Sequence, residues 1–278
     1  MNTETRWLHR YAIFVAFCAL LAIAAGAIVT SLERPIAVTP VPAAINPAFQ
    51  FWHHMGGGVA VVLVLVLAVG LRSQLGWMAA GAGIVDGILG AKAITQAWPQ
   101  LSGILHAVLA QVFFAAIVAI AVVTSESWKN GPEPIEDSWR PSMRSLAMAI
   151  LAVVLLQITL GAAYRYRALG VLWHILNAMI VLLLILIVAV FLVRQFPEHP
   201  TLRPAALALA VITSIQVMLG FTTFMMLILF PETSLAVVIT SVLHVVTGSL
   251  TFAATFALAI EIRYNLRTTV TNRSVTAW

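Results

Sequence analysis

The sequence predicts an all-α polytopic membrane protein with eight transmembrane helices, arranged as two pseudo-repeated four-helix bundles with both termini in the cytoplasm. Composition is the first reason, because 62% of the 278 residues are hydrophobic, only 9% are charged and the mean hydropathy is +1.01. So few polar residues cannot coat a water-soluble globule of this size. The second reason is a series of apolar runs of roughly 20 residues, which is the length that crosses the hydrocarbon core as a helix.

Eight such runs divide the chain into its predicted spans. They cover residues 11–31, 51–71, 76–95, 102–123, 145–164, 170–193, 205–230 and 235–260. The first run follows Arg6 and Arg10, and its length favours a retained helix over a cleaved signal peptide. The single cysteine, Cys18, lies inside this run, so the chain has no cysteine pair for a disulfide, a metal or redox chemistry.

The distribution of basic residues predicts the orientation. With eight spans, both termini share one side with the loops at 72–75, 124–144 and 194–204. That side carries eleven basic residues: Arg6, Arg10, Arg72, Lys129, Arg140, Arg144, Arg194, Arg203, Arg263, Arg267 and Arg273. The other side carries four: Arg34, Lys92, Arg165 and Arg167. The excess places both termini in the cytoplasm, and no feature of it points to nucleic acid. The expected location of the chain is the plasma (inner) membrane of a bacterium.

A hydrophilic linker at 124–144 separates two halves, predicted as residues 1–130 and 131–278. In each half an odd-numbered span carries glycine near its outer end, and the next span carries histidine near its outer start. The pairs are "AGAIVT" with "FWHHMGGG", "LGAKA" with "ILHAVLAQ", "LGAAY" with "LWHILNA" and "LGFTT" with "VLHVVTGS". The pattern is typical of an internal repeat of helix pairs.

Histidines at these matching positions indicate a ligand role, because ionisable side chains inside membrane spans are rare and usually functional. They are His53 or His54, His106, His174 and His244. Four residues after each, on the same helix face, comes a small residue: Gly57 after His53, Ala110, Ala178 and Gly248. A flat macrocycle beside its axial ligand needs such a clearing, and two facing histidines per half fit bis-histidine heme ligation better than zinc. Spacing alone does not choose between the neighbours, because Gly58 follows His54 by four residues as well.

Other charged residues lie near these positions. Arg165 and Arg167, at the outer end of the fifth span, are predicted either as partners of heme propionates or as interface anchors. Lys92 is the corresponding cation of the first half. Asp86 lies deeper in the same span, either as a hydrogen-bonded neutral group or as part of a proton path.

The chain resembles the heme A synthase family of cytochrome oxidase assembly proteins over nearly its whole length. The resemblance rests on "LHRYAIFVAFCALLAIAAGAIVTS", a degraded proline-containing loop "IAVTPVP", "ILHAVLAQVFFA", "LQITLGAAYRY", "LGVLWHILNA", "QVMLGFTTF" and "VLHVVTGSLTFA". It implies an enzyme that oxidises the C8 methyl of heme O, through a hydroxymethyl group, to the formyl of heme A. Heme O synthase and cytochrome oxidase subunits would be its partners.

The resemblance also implies residue roles. His53 and His106 would flank the substrate heme O, and His174 and His244 would ligate a heme b cofactor. The second helix of the family usually begins Glu-x-x-His-Arg. Laid on "QFWHHM", that motif makes His53 the ligand, puts His54 at the arginine and puts Gln50 at the glutamate. Because glutamine cannot exchange protons, the alternative is a non-catalytic bis-histidine heme b protein, either an electron carrier or a heme-holding assembly factor. A transporter is a third class, favoured by the internal duplication but by little else.

Overall fold

The computed structural model describes residues 3–33 and 47–268. The helices are α1 Thr3–Glu33, α2 Pro47–Leu71, α3 Gln74–Leu89, α4 Lys92–Ala97, α5 Pro99–Val123, α6 Glu126–Lys129, α7 Met143–Arg165, α8 Val171–Gln195, α9 Leu202–Leu229 and α10 Leu235–Asn265. Two short strands, β1 Ile135–Asp137 and β2 Leu266–Thr268, complete the set. The predicted loop "IAVTPVP", Arg34, Arg273 and both chain ends lie outside the described residues, so the cytoplasmic placement of the termini stays a prediction.

Seven helices in the described part of the chain are long and apolar enough to cross a membrane, namely α1, α2, α5, α7, α8, α9 and α10. They confirm the prediction of a helical multi-pass membrane protein. The third predicted span differs, because the helix expected over 76–95 is broken at Gly90 and Ala91. The 16 residues of α3 rise about 24 Å, less than the ~30 Å of a hydrocarbon core. A count of eight full spans is therefore not confirmed.

The break in the third span follows from local chemistry. Glycine disfavours a helix interior by about 1 kcal/mol relative to alanine. Gly90 closes α3 with its backbone N–H on the Asp86 carbonyl, and Ala91 is extended. The short α4 then ends just before Pro99, which begins α5 at a position where proline is tolerated.

Serine caps and tight turns fix the other helix ends. The side chains of Ser73, Ser142 and Ser234 accept backbone N–H groups at the starts of α3, α7 and α10. Arg72, with φ 49°, reverses the chain between α2 and α3, and Arg167, with φ 58°, does so between α7 and α8. These short connections make consecutive helices antiparallel neighbours.

The long helices pack as two groups of four. In the first group α1 contacts α2, α2 contacts α3, α3 contacts α5, and α5 contacts α1. In the second, α7, α8, α9 and α10 close a ring in the same way. The groups meet through α1, α5, α7 and α10, around core residues that include Ile117, Ile120 and Ile262. The packing follows the two-bundle arrangement that the repeat predicts.

The linker between the groups carries the one departure from an all-α fold within the described residues. Strand β1 pairs in parallel with β2, which follows α10 directly. Asp137 is buried beside this pairing, and its carboxylate accepts the backbone N–H of Met143 at 2.7 Å and of Trp139 at 3.3 Å. The linker is thereby fixed to the start of α7 and the end of α10.

Candidate functional site

Two histidines of the first group face each other across the bundle. His53 lies two turns into α2 and His106 two turns into α5, and both are half-buried. Their ring centres are 6.1 Å apart and their planes meet at 76°. The structure thus brings together the two residues that the sequence predicts to flank one heme.

The second group repeats this geometry. His174 near the start of α8 and His244 near the start of α10 have ring centres 6.2 Å apart and planes at 85°. Both are half-buried as well. Each four-helix group therefore contains one pair of facing imidazoles, supplied by helices on opposite sides of the bundle.

The glycines of the repeat lie directly against these rings. A Cβ added at Gly26 would lie 2.7 Å from Cε1 of His53, and one at Gly90, Gly161 or Gly220 would lie 2.9 Å from Cε1 of His106, His174 or His244 respectively. Real Cβ contacts are not so short. From sequence alone, close packing of helices is enough to explain these glycines. The structure gives a more specific reason, because each glycine makes room for one imidazole ring.

A backbone carbonyl holds three of the rings from behind. Nδ1 of His53 donates to the carbonyl of Ala22 at 3.2 Å, that of His106 to Asp86 at 3.1 Å and that of His174 to Gln157 at 3.2 Å. Each acceptor lies four residues before the glycine that supports the same ring. Donation from Nδ1 leaves Nε2 for a ligand, which is the usual arrangement of metal-binding histidines. Nε2 of His174, however, already lies 3.3 Å from the side-chain amide of Gln157.

His244 departs from the other three. The equivalent residue on α9 is Gln216, but Nδ1 of His244 is buried without a hydrogen-bond partner among the described residues. The side-chain amide Nε2 of Gln216 lies 3.4 Å from Nε2 of the ring instead. Buried polar atoms normally have a partner, so this orphaned nitrogen marks an incompletely satisfied site.

Asp86 is a site residue whose role the sequence left open. Its Oδ1 lies 2.9 Å from Nδ1 of His106, and the two side chains are 14% and 23% exposed respectively. The side chain therefore lies against the histidine ring, and the two roles set out above, a neutral hydrogen-bonded group or part of a proton path, stay predictions. The repeat carried the signal, because Asp86 precedes Gly90 by four residues as Gln157 precedes Gly161 and Gln216 precedes Gly220.

Amide side chains surround the second pair. Nε2 of Gln157 lies 3.0 Å from Nδ1 of His174, and its Oε1 accepts from Asn177 at 2.8 Å. Gln216 fills the space beside Gly248, where a Cβ would lie 3.1 Å from its Nε2. At Gly57, by contrast, a Cβ would meet nothing within 4 Å. The predicted clearing after each histidine is therefore open at Gly57 and occupied by Gln216 at Gly248.

The neighbouring residues His53 and His54 point in different directions. His54 is exposed, with its ring centre 5.6 Å from that of His53, while His53 faces His106. The two cannot share a partner, because adjacent helical residues are about 100° apart around the axis. Gln50, one turn earlier in α2, is exposed as well.

Both histidine pairs lie at the same end of the molecule, which we call the histidine end, where α1, α3, α7 and α9 finish. Arg165 at the end of α7 donates from Nη2 to the carbonyl of Thr30 in α1. The ring of Tyr166 lies against Gly103 near the start of α5. Arg165 and Tyr166 thus join the two groups, with Arg167 in the adjoining turn. Lys92 lies in α4 at the same end, and its side chain is outside what the structure describes.

Within residues 3–33 and 47–268, no three or more histidine, cysteine, aspartate or glutamate side chains converge as a metal-ion site. The arrangement is one of imidazole pairs. No protein-family model and no curated protein sequence matches this chain.

Proposed function

We propose that this chain is a heme A synthase-type membrane oxidoreductase, which converts the C8 methyl of heme O to the formyl of heme A for cytochrome oxidase assembly. The observation that carries the proposal is the duplicated geometry of the histidines. Each four-helix group has one facing pair, and each imidazole lies against a glycine that leaves room for nothing larger. A structural role for isolated histidines does not account for four equivalent packing arrangements.

The spacing of the rings fits a bis-imidazole iron site. A metal at about 2 Å from each nitrogen, with each nitrogen about 1.1 Å from its ring centre, separates the centres by about 6.2 Å. The two pairs measure 6.1 Å and 6.2 Å. The donors also fit, because Nδ1 of His53, His106 and His174 is engaged with a backbone carbonyl. The residues of the first group therefore suit heme directly. In the second group the side-chain amides of Gln157 and Gln216 lie 3.3 Å and 3.4 Å from Nε2 of His174 and His244, so they would move aside for heme.

In this proposal His53 and His106 bind the substrate heme O, and His174 and His244 bind the heme b cofactor. Gln50 stands beside the substrate pair, one turn before His53. Arg165 and Arg167 lie at the histidine end, where they would face propionate carboxylates. Heme b supplies one-electron redox chemistry when bound.

The conversion of methyl to formyl adds one oxygen atom, drawn from water, and removes four protons and four electrons, which pass to an acceptor in the membrane. The protein's own contribution is to hold the substrate between two fixed imidazoles. His106 is the more firmly fixed of these, because Asp86 contacts its Nδ1 through both a carboxylate and a backbone oxygen.

A second candidate function is a non-catalytic heme b protein, which carries electrons or holds heme during assembly. Gln50 favours it, because an amide at the position of the family glutamate can neither exchange protons nor carry charge. The remaining geometry serves both functions equally.

One experiment separates the possibilities. The chain is produced with a heme O synthase in a bacterial membrane and purified, and its hemes are extracted for chromatography and mass analysis. Heme A, together with a low-spin bis-histidine Soret spectrum, supports the synthase. Retained heme b without heme A supports the carrier. A colourless preparation from heme-replete cells contradicts both.

A further inference from the structure

A cavity of about 370 Å³ lies at the opposite end of the molecule from the histidines. The linker between the groups forms one wall, and the start of α7 with the end of α10 forms the other. It is lined by Gly131, Pro132, Glu133, Pro134, Arg144, Arg263, Tyr264 and Arg267. Its volume is within the range of small-molecule sites. None of these residues contributes to the proposed heme sites.

The charge of the cavity is strongly positive. Three arginines and one glutamate, Glu133, line it. A further carboxylate, Glu136, is paired in register with Arg267 outside the lining, and the lining itself keeps an excess of positive charge. Arg144 is the innermost of the arginines, and its Nη2 donates to the carbonyl of Arg263 at 2.7 Å. Its Nε is buried without a hydrogen-bond partner among the described residues. The guanidinium is thus fixed on one side and has unused donor capacity, which a multiply accepting anion would satisfy.

The walls of this cavity are fixed by contacts on three sides. The parallel pairing of β1 with β2 sets Glu136 opposite Arg267. The ring of Trp128 stacks on that of Tyr264 with centres 4.1 Å apart. Asp137 holds the N-terminus of α7 through the Met143 N–H. The arginines therefore line a site whose walls are already fixed. Basic residues that only set the orientation of the chain in the membrane do not need such a site.

The cavity also lies at the membrane surface. Two candidate spans, Met143–Arg165 and Leu235–Asn265, begin and end at its edge. Met148 follows Arg144 by four residues on the same face of α7 and is 58% exposed. An exposed apolar side chain thus lies one helical turn from the basic cavity, on the side of the candidate span. This combination suits a molecule with an anionic head and an acyl tail.

We propose that this cavity binds the phosphate group of an anionic phospholipid headgroup from the leaflet on the linker side. Arg144, Arg263 and Arg267 supply the guanidinium donors, whose planar geometry matches phosphate oxygens in pairs. Glu133 at the rim disfavours a second negative charge, so a single phosphodiester is the expected ligand. The site is independent of heme, and its occupancy joins the linker to the start of α7 and the end of α10.

The test measures lipid retention by native mass spectrometry. The full chain is exchanged into mixed micelles that contain phosphatidylglycerol and phosphatidylcholine with identical acyl chains. We expect the wild-type chain to retain phosphatidylglycerol preferentially. The double variant Arg263→Gln/Arg267→Gln should lose about 30-fold in that preference, since each surface arginine contributes roughly 1 kcal/mol to attraction of an anionic lipid. Arg194→Gln is the matched control, because Arg194 is an exposed arginine in the last turn of α8, outside the cavity.

Three results would overturn the proposal. They are undiminished retention in the double variant, equal loss in Arg194→Gln, and displacement of the lipid by millimolar inorganic phosphate, which would identify free phosphate as the ligand. Arg263→Lys/Arg267→Lys addresses folding, because it keeps the charge and should recover part of the preference. If the lysine variant is monodisperse and retains as much lipid as the wild-type chain, charge alone explains the preference and guanidinium recognition is the wrong explanation.

Discussion

Oδ1 of Asp86 lies 2.9 Å from Nδ1 of His106, whereas the corresponding neighbours of the other three histidines are Ala22, Gln157 and Gln216. One imidazole of the four therefore has a carboxylate behind it. A carboxylate in this position raises the basicity of a histidine ligand and fixes its orientation. The two histidine pairs, nearly identical in geometry, differ in charge.

That difference predicts that hemes bound at the two pairs would have different reduction potentials. In Asp86→Asn the imidazole of His106 becomes a weaker electron donor, so the reduction potential of a heme on the first pair should rise and its affinity should fall about 10- to 100-fold. An optical redox titration measures the potential. Gln157→Glu is the reciprocal variant and should lower the potential of the second site. If the reduction potentials are unchanged in both variants, Asp86 does not tune the potential. That result would not contradict heme binding at either pair.

The glycine contacts predict a sharp steric effect. In Gly90→Ala and Gly161→Ala, a methyl group would enter the space of a histidine ring, so each variant should lose heme from its own pair. Gly87→Ala is the control, because a Cβ there meets nothing within 4 Å and the same helix should gain up to about 1 kcal/mol. Heme content per protein is the readout. If Gly87→Ala loses as much heme, the loss comes from a general change in α3 and not from a clash with the histidine ring.

His53 and His54 should behave differently on substitution. Because His53 faces His106 and His54 is exposed, His53→Ala should abolish binding of heme O and His54→Ala should leave most of it intact. Spectroscopic titration of the purified variants with heme O measures this. The reverse ranking would show that the ligand assignment on α2 is displaced by one residue.

The second pair should hold the stable cofactor. His174→Ala or His244→Ala removes one of two axial ligands, so either variant should lose heme b or convert it from low-spin to high-spin. Pyridine hemochrome analysis and electron paramagnetic resonance report the two outcomes. Full low-spin heme content in both variants would refute the pairing.

His199, in the loop between α8 and α9, predicts a dependence of stability on pH. Burial lowers the pKa of its imidazole below the ordinary value of 6.5. Its Nδ1 accepts the N–H groups of Thr201 and Leu202, so protonation would remove both contacts at the start of α9. A depressed folded pKa means that the stabilisation is present above the unfolded value and is lost as the pH falls toward the folded value.

The melting temperature of the wild-type chain should therefore decrease as the pH is lowered from about 7 to about 5. In His199→Asn the amide oxygen replaces Nδ1 as acceptor and does not titrate, so part of this decrease should disappear. Glu198 and Arg203 line the same surface cavity and are kept in both proteins. If the melting temperatures of the two proteins fall in parallel as the pH is lowered, the pH dependence comes from groups other than His199.

Much of the site was predictable because a repeat constrains it. The four histidines and the glycines that support them recur in register, and this regularity survives differences in loop length. Asp86 was harder to assign, because one carboxylate in an apolar span has several possible partners. Its location four residues before Gly90 identifies His106 as its partner only once α3 is known to pack against α5.

The third span and the linker show why local patterns are not sufficient. The apolar run at 76–95 satisfies the composition of a span, yet α3 ends at Leu89. The ring of His106 on α5 lies against the next residue, Gly90, where a Cβ would be 2.9 Å from Cε1 of the ring. In the linker, each residue of β1 pairs with a residue 131 positions later in the chain, so no local pattern predicts the pairing.

By itself the sequence predicted the helical membrane fold, the division into related halves and histidines at matching positions of four helices, with His53 and His54 as alternatives on one of them. It could do so because hydropathy and spacing are properties of each helix alone. Only the tertiary structure decided that His53 and not His54 faces the partner helix, that Asp86 lies behind His106, and that Arg144, Arg263 and Arg267 enclose one cavity. Those relationships depend on helix rotation and on contacts between distant segments, which the periodicity of a single segment does not encode.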